Sequence, residues 1–451
     1  MSRAGLNAGL GAAILALGLA GCVGYAPAPP HPEQFPAALD ARRLDAKPAS
    51  GAWSGSDLLA VAIAQNPQIA EARAKYATAL AAVKAARAPP GPSLTLTAEY
   101  ANEAPHWGYS GASDIPLDYG ARRSTRITTA ELQALQAFYD LGEAIWSVRT
   151  DLERARADRI AATQESMLAD QAVGLRRQRA DRLERRVNAG QDARSVAIAA
   201  QGDLVAAEHR RAGALSRLSA ADAALAKALG VSRPTVRYLI LTPPVQAASL
   251  TDLPAWRRDA ALSRRDVLRA VADYDIAENA LKLQVAQQYP AVSLGPAYNY
   301  DHGVYKFPFI LSLALPPWDL NRAPIAQAEA ARAAAGRTLE LAQANALAAV
   351  DAASAALSAA REDLQRTRAR DLPLAERTRA AAERARRAGE SDRTDELAAQ
   401  AAKVDVELSL NDAEHTLAGA TADLEDALRR SFDPAETALI EAAMAKGRGA
   451  K

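Results

Sequence analysis

The chain carries one cysteine, Cys22, in 451 residues. A single thiol excludes an intramolecular disulfide and any thiolate metal cluster. Histidine is almost as scarce, with His31, His106, His209, His302 and His415 as the full set. None stands at metal-ligand spacing from another, so no metal site is expected. Aromatic residues make up only 5%, too few for an ordinary compact globular core. No segment after residue 22 reaches the roughly 20 consecutive apolar residues of a membrane helix. If the chain crosses a bilayer, it does so with strands. The formal net charge of +1 argues against a nucleic-acid surface. There is no glycine-rich phosphate loop and no nucleophile–histidine–acid set, so neither catalysis nor a cofactor is expected. The carboxylates share helix faces with arginine, a pattern of solvated or interhelical pairs.

Alanine is abundant and 24% of residues are charged. That composition suits long helices packed closely side by side. At the N-terminus, Arg3 precedes an apolar run from Leu10 to Ala20 and a small-residue junction. Residues 1–21 read as a signal peptide. The junction Leu19-Ala20-Gly21-Cys22 resembles the bacterial lipobox, whose cysteine is acylated and becomes the mature N-terminus. Two or more acyl chains anchor a protein stably where one does not. The bland alternative is an ordinary signal peptide with an incidental cysteine. Residues 22–55 hold Pro27, Pro29, Pro30, Pro32, Pro36 and Pro48 and read as a flexible or extended tether.

The rest of the chain says the same thing twice. Ser93-Leu94-Thr95-Leu96-Thr97 is answered by Ala291-Val292-Ser293-Leu294, and Pro116-Leu117-Asp118 by Pro317-Trp318-Asp319. Arg186-Val187-Asn188-Ala189-Gly190 is answered by Arg386-Arg387-Ala388-Gly389. The offset is about 200 residues at all three landmarks, the mark of an internal duplication. The first repeat spans 56–230 and the second 253–430, with a linker at 231–252 and a tail at 431–451.

In the first repeat, Ser56-Asp57 offers an N-cap, and a helix runs to about Arg87 with a kink or break at Pro67. A strand with Leu94, Leu96, Ala98 and Tyr100 on one face follows. A loop through Trp107-Gly108 leads to a weaker strand from Ser113 to Tyr119. A helix from Ser124 to Val187, about 90 Å long at 1.5 Å per residue, turns at Asn188-Ala189-Gly190 and returns from Ala193 to Leu229. The second repeat reads alike: helix 255–288, strand 292–301, strand 307–315, helix 323–387, turn, helix 394–430. Aromatics near the strand ends (Tyr100, Trp107, Tyr119, Tyr300, Tyr305, Phe307, Trp318) suit membrane interfaces. Four strands cannot close a barrel, and open edges in lipid leave backbone groups unpaired. Three copies would supply twelve strands.

The arrangement resembles the TolC-type outer-membrane efflux family over residues 56 to about 430. The motifs are Ala64-Gln65-Asn66-Pro67, Arg265-Asp266-Val267-Leu268, the junction Pro317-Trp318-Asp319-Leu320-Asn321-Arg322, and both turns. The resemblance implies a mainly α fold with a small antiparallel β part. Two tandem repeats of coiled-coil helices and a β-hairpin would form a trimeric twelve-stranded barrel on a periplasmic tunnel. It implies a periplasmic adaptor and an inner-membrane pump, of the resistance-nodulation-division type, as partners, and outer-membrane lipid around the barrel. The adaptor would meet the tips, here Gly190, Gln191, Asp192 and Arg194 with Gly389, Glu390, Asp392 and Arg393. Asp395 matches a family gate acid. Ala398 and Ser391 depart from the gate pattern. Pro90-Gly91-Pro92 and the segment from Asp114 to Gly120 look like the heavy-metal branch. Other readings are a type I protein-secretion duct and a lipid-anchored periplasmic coiled-coil scaffold; the scaffold leaves two amphipathic strand pairs unexplained.

Overall fold

The computed structural model describes residues 24–44, 51–102, 104–244, 252–301 and 303–449. The expected signal peptide and Cys22 lie outside the described residues. Two units result, residues 1–42 and 43–451. In the first, a 3-10 turn at Pro32–Gln34 runs into helix α1, Phe35–Ala41. Part of the segment read as a flexible or extended tether is therefore helical. Proline at a first helical position fixes φ without losing a needed N–H, and Ala-Ala-Leu-Asp-Ala continues the helix.

The second unit opens with α2, Gly55–Gln65, and α3, Pro67–Arg87. The cap of α2 is Ser54 and not Ser56-Asp57. Ser54 Oγ accepts from Asp57 N at 3.2 Å, and Asp57 Oδ2 accepts from Ser54 N at 3.0 Å, a reciprocal capping box. Strands β1, Ser93–Tyr100, and β2, Trp107–Pro116, follow. Strand β2 starts six residues earlier than the pattern predicts, because Trp107 and Tyr109 pair with Tyr100 and Ala98 and shorten the loop. Helix α4, Gly120–Asn188, has 69 residues and spans about 100 Å. It returns as α5, Arg194–Leu229. The expected linker is partly core: short helix α6, Arg233–Val236, buries Val236, and Leu241 bridges to Trp53.

The second repeat holds α7, Leu253–Ser263, α8, Arg265–Ala286, and strand β3, Ala291–Asp301. A short strand, β4, Val304–Lys306, precedes the expected strand 307–315, which is β5, Phe309–Ala314. Pro308 has no N–H for the ladder, though its carbonyl still accepts from Ala297 N at 2.8 Å. Helix α9, Arg322–Arg366, joins α10, Leu372–Ala388, through a π turn at Thr367–Asp371. Pro373 cannot donate to the preceding turn, and the π turn absorbs that break. Helices α11, Arg393–Leu428, and α12, Pro434–Gly449, complete the chain.

The two repeats break their first helices with different residues and one device. Asn66, between α2 and α3, donates Nδ2 to the carbonyl of Ala228 at 2.8 Å. Arg264, between α7 and α8, donates Nη1 to the carbonyl of Ala427 at 2.6 Å. Both acceptors lie in the last turn of a return helix, where carbonyls lack intrahelical partners. Gly230 closes α5 at φ +71°, and a Cβ there would sit 2.7 Å from the carbonyl oxygen of Gln65. Positive φ and this close approach together require glycine.

The largest core packs Leu58, Leu59, Ile69, Ile145, Trp146, Leu152, Leu225 and Leu229 against Ile440 and Met444 of α12. Beside it lies a buried ionic cluster. Arg149 contacts Glu425 and Glu436, each at 2.7 Å, and Arg156 contacts Glu153 at 2.6 Å. Ser431 Oγ donates to Glu436 at 2.8 Å. Three carboxyls face two guanidiniums, so the cluster is one positive charge short. Burial pushes the Glu153 carboxyl up to about 7, against the pull of Arg156 and with the push of Glu436. Its folded pKa therefore exceeds its unfolded one. The associated stability is present below the ordinary carboxylate range and is lost as pH rises through about 7. The amount is ~3 kcal/mol. The thermal midpoint of the wild type should fall between about pH 5 and 8, and Glu153→Gln should lose most of that fall. Equal slopes in the two proteins would show that Glu153 does not take up the proton.

Candidate functional site: hairpin tips and strand sheet

The two long hairpins end in the same turn. Gly190 and Gly389 adopt φ +74° and +76°. Gly190 N donates to Val187 O at 2.9 Å and Gln191 N to Arg186 O at 2.9 Å. Gly389 N donates to Arg386 O at 3.1 Å and Glu390 N to Ala385 O at 2.9 Å. Each is a Schellman closure with glycine in the left-handed position. A Cβ on either glycine would meet open space, so the demand is conformational and not steric.

Past the turns the tips diverge. Asp392 caps α11, accepting from Thr394 N at 2.6 Å and Asp395 N at 3.2 Å. At the first tip the cap position of α5 is Ala193, which offers no side chain. Asp192 instead binds Arg186 Nε at 2.7 Å. Arg186 also pairs with Asp392, so one guanidinium ties the two hairpins together. Arg194 pairs with Glu184 at 2.5 Å. Arg386 and Arg393 converge on Glu396. The hydrogen bond from Arg393, with the Arg386 charge beside it, holds the Glu396 carboxyl below its usual range. Asp395 is exposed in the first turn of α11. Of the expected tip residues, Asp192 and Asp392 meet at Arg186, Arg393 meets Arg386 at Glu396, and Arg194 stands apart with Glu184. The structure adds Arg186, Arg386 and Glu396, which the sequence reading did not single out as site residues. Arg186 and Arg386 stand in the repeated turn motif itself; Glu396 carries no such signal.

At the other end of the long helices the strands form one antiparallel sheet in the order β1-β2-β3-β4, with β5 also on β3. The register sorts the side chains by face. Ser93 pairs Asp114, Thr95 pairs Ala112, Thr97 pairs Ser110, and Ser110 pairs Asn299. That face is small and polar. The opposite face carries Leu94, Leu96, Tyr298, Phe309, Leu311 and Leu313, all exposed. At the loop end, Tyr100, Trp107, Tyr109, Tyr300 and Tyr305 run side by side, with neighbouring ring centroids 5.1 to 6.4 Å apart. At the helix end stand Tyr119, Tyr289 and Trp318, all exposed. An apolar face bounded by two aromatic rows fits a strand sheet in a bilayer. Among the described residues, the outer strands, β1 on one side and β4 and β5 on the other, each have a strand partner on one edge only.

The family model for outer membrane efflux proteins matches residues 58–231 and 256–428. The chain is a member of the outer membrane efflux protein family. It is accordingly an efflux channel of the outer membrane whose helices extend into the periplasm, and the family is one of channels and not of enzymes. Solved structures share the fold. The chain is similar to the outer membrane protein VceC of Vibrio cholerae at TM-score 0.69 and 17% identity, over 83% of this chain and 96% of that one. It is similar to the Campylobacter jejuni CmeC outer membrane channel at 0.70 and 13%, over 86% and 89%. It is similar to the open state of the Neisseria gonorrhoeae MtrE outer membrane channel at 0.66 and 17%, over 83% and 89%. No curated protein matches it by sequence. Among the described residues, no three His, Cys, Asp or Glu side chains group as a metal site.

Arg186→Gln should free Asp192 and Asp392 together. Spin labels at Gln191 and Glu390 should then report a broader distance distribution between the tips. The effect on global stability should stay within about 1 kcal/mol, because the pair is partly exposed. An unchanged distribution would discard the link.

Proposed function

We propose that three copies of the chain close a twelve-stranded barrel, continued by a helical tunnel through the periplasm. The duct conducts small solutes, drugs or heavy-metal ions, outward from an inner-membrane pump through a periplasmic adaptor. The carrying observation is the sheet, apolar on one face, polar on the other and open at both edges. Free edges in hydrocarbon leave backbone groups unsatisfied at several kcal/mol each. A second and a third copy satisfy them edge to edge, and an even strand number results. The small polar residues then line a wet lumen.

In this reading Cys22 carries the lipid anchor, and the hairpin tips meet the adaptor. Gly190, Gln191, Asp192 and Arg194 form one contact, and Gly389, Glu390, Asp392 and Arg393 the other. Asp395, exposed at the second tip, narrows the channel mouth. A pump of the resistance-nodulation-division type supplies the energy. The Pro90-Gly91-Pro92 entry to β1 and the segment from Asp114 to Gly120 support heavy-metal ions among the substrates.

Detergent-solubilised protein should run as a heat-sensitive trimer; a monomer that keeps its strand signal would overturn the shared barrel. Val at Gly190 and at Gly389 forces a β-branched residue into the left-handed region at a cost of about 1–3 kcal/mol each. The double variant should remain trimeric yet lose resistance in a panel of metals and drugs on a deletion strain. Full resistance in that variant would remove the tips from docking.

A further inference from the structure

A cavity of about 980 Å³ lies between α4, α5 and α11, but its arginines Arg176, Arg210 and Arg217 are already engaged by Asp405 and Glu165, and His415 by Asp158. A second cavity, of about 780 Å³, is different. It lies where the strands meet the helices, below β2 and β3 and between the start of α4 and the end of α8. Its lining includes Leu117, Tyr119, Arg122, Lys282, Val285 and Tyr289.

Leu117 N donates to Val292 O at 2.9 Å, which carries the β2–β3 ladder one step past Pro116. The strand alternation therefore continues, and Leu117 falls on the face of Tyr109 and Ile115, the exposed apolar one. The floor of the cavity is thus continuous with the membrane-facing surface. Its rim is cationic. Arg122 spends one donor on the carbonyl of Tyr289, at 2.6 Å, and its fork has four more. Lys282 is exposed. Neither cation meets a carboxylate among the described residues. Glu278, the one acid in the lining, is engaged by Arg332 at 3.0 Å. Tyr119 and Tyr289, both exposed, flank the opening with hydroxyl-bearing rings of the kind that settle at headgroup depth.

We propose that this cavity binds an anionic glycerophospholipid of the periplasm-facing leaflet. Its phosphate sits on Arg122 and Lys282, and an acyl chain lies along Leu117 and Ile115. The proposal rests on the placement of the strands in the membrane. It does not rest on the trimer, because every lining residue comes from one chain. Two uncompensated cations favour an anionic headgroup over a zwitterionic one. The apolar floor favours a lipid over free phosphate.

Native mass spectrometry on the delipidated full chain tests this. The wild type and an Arg122→Gln/Lys282→Gln variant are titrated with dioleoyl-phosphatidylglycerol and dioleoyl-phosphatidylcholine, with inorganic phosphate as competitor. Phosphatidylglycerol should bind the wild type about tenfold or more tightly than phosphatidylcholine, and the variant should lose that preference. If the double variant does not fold, Lys282→Gln alone, at an exposed helix position, should weaken phosphatidylglycerol about fivefold. Equal binding of the two lipids, full affinity in the variant, or displacement of the lipid by inorganic phosphate would each overturn the site. The same spectra read stoichiometry. Monomers that carry phosphatidylglycerol would support this site while overturning the shared barrel.

Discussion

The unpaired backbone edge governs this molecule. An antiparallel sheet with an apolar face belongs in hydrocarbon, where an N–H or C=O without a partner costs several kcal/mol. Among the described residues β1, β4 and β5 each have one satisfied side. No side chain in the sheet can repair that, because the missing partner is another strand. The long helices follow from the same constraint. In the proposed trimer, a sheet that closes by association needs rigid supports holding each chain's strands at a fixed tilt and radius. Helices of 69 and 36 residues, returned on themselves and bound to a common core, supply that rigidity.

Much of this was legible in the sequence because the duplication wrote it twice. The strand alternation of Leu94, Leu96, Ala98 and Tyr100, the glycine turns and the return helices all come from local rules that act within a few residues. The misreadings have local causes too. Trp107 and Gly108 look like a loop, yet they pair with Tyr100 and Glu99, and Ala101 N donates to His106 O at 2.7 Å one step beyond them. The π turn before Pro373 is the adjustment of a helix too long to abandon at one missing donor. Arg264 gives no breaker signal at all. Only the Ala427 carbonyl, more than 160 residues away, shows why the helix stops there.

That pair of breaks shows what the duplication has kept. Asn66 and Arg264 share neither size nor charge, yet each binds a carbonyl at the end of its own repeat's return helix. The amide is short and lets the backbones approach, and Gly230 accepts that approach. The guanidinium is long and reaches across a wider gap, with Asp266 holding it at 2.7 Å. Function at this position is a hydrogen bond to an orphan carbonyl. Either chemistry provides it, so the contact survives where the residue identity does not.

The tips show the opposite outcome. Their turns are the same down to the individual backbone hydrogen bonds, but their acids have parted roles. Asp392 is spent on capping α11, while Asp192 leaves α5 uncapped and turns to Arg186. Because Arg186 also reaches Asp392, the cap of one hairpin is electrostatically tied to the turn of the other. Such a tie is partly exposed, hence weak and sensitive to salt. A strong buried bond would fix the tips in one arrangement. A weak one lets contacts worth only about 1 kcal/mol move them. In the proposed duct the tips are where an adaptor would dock, and there the two repeats keep one turn geometry but pair their charges differently.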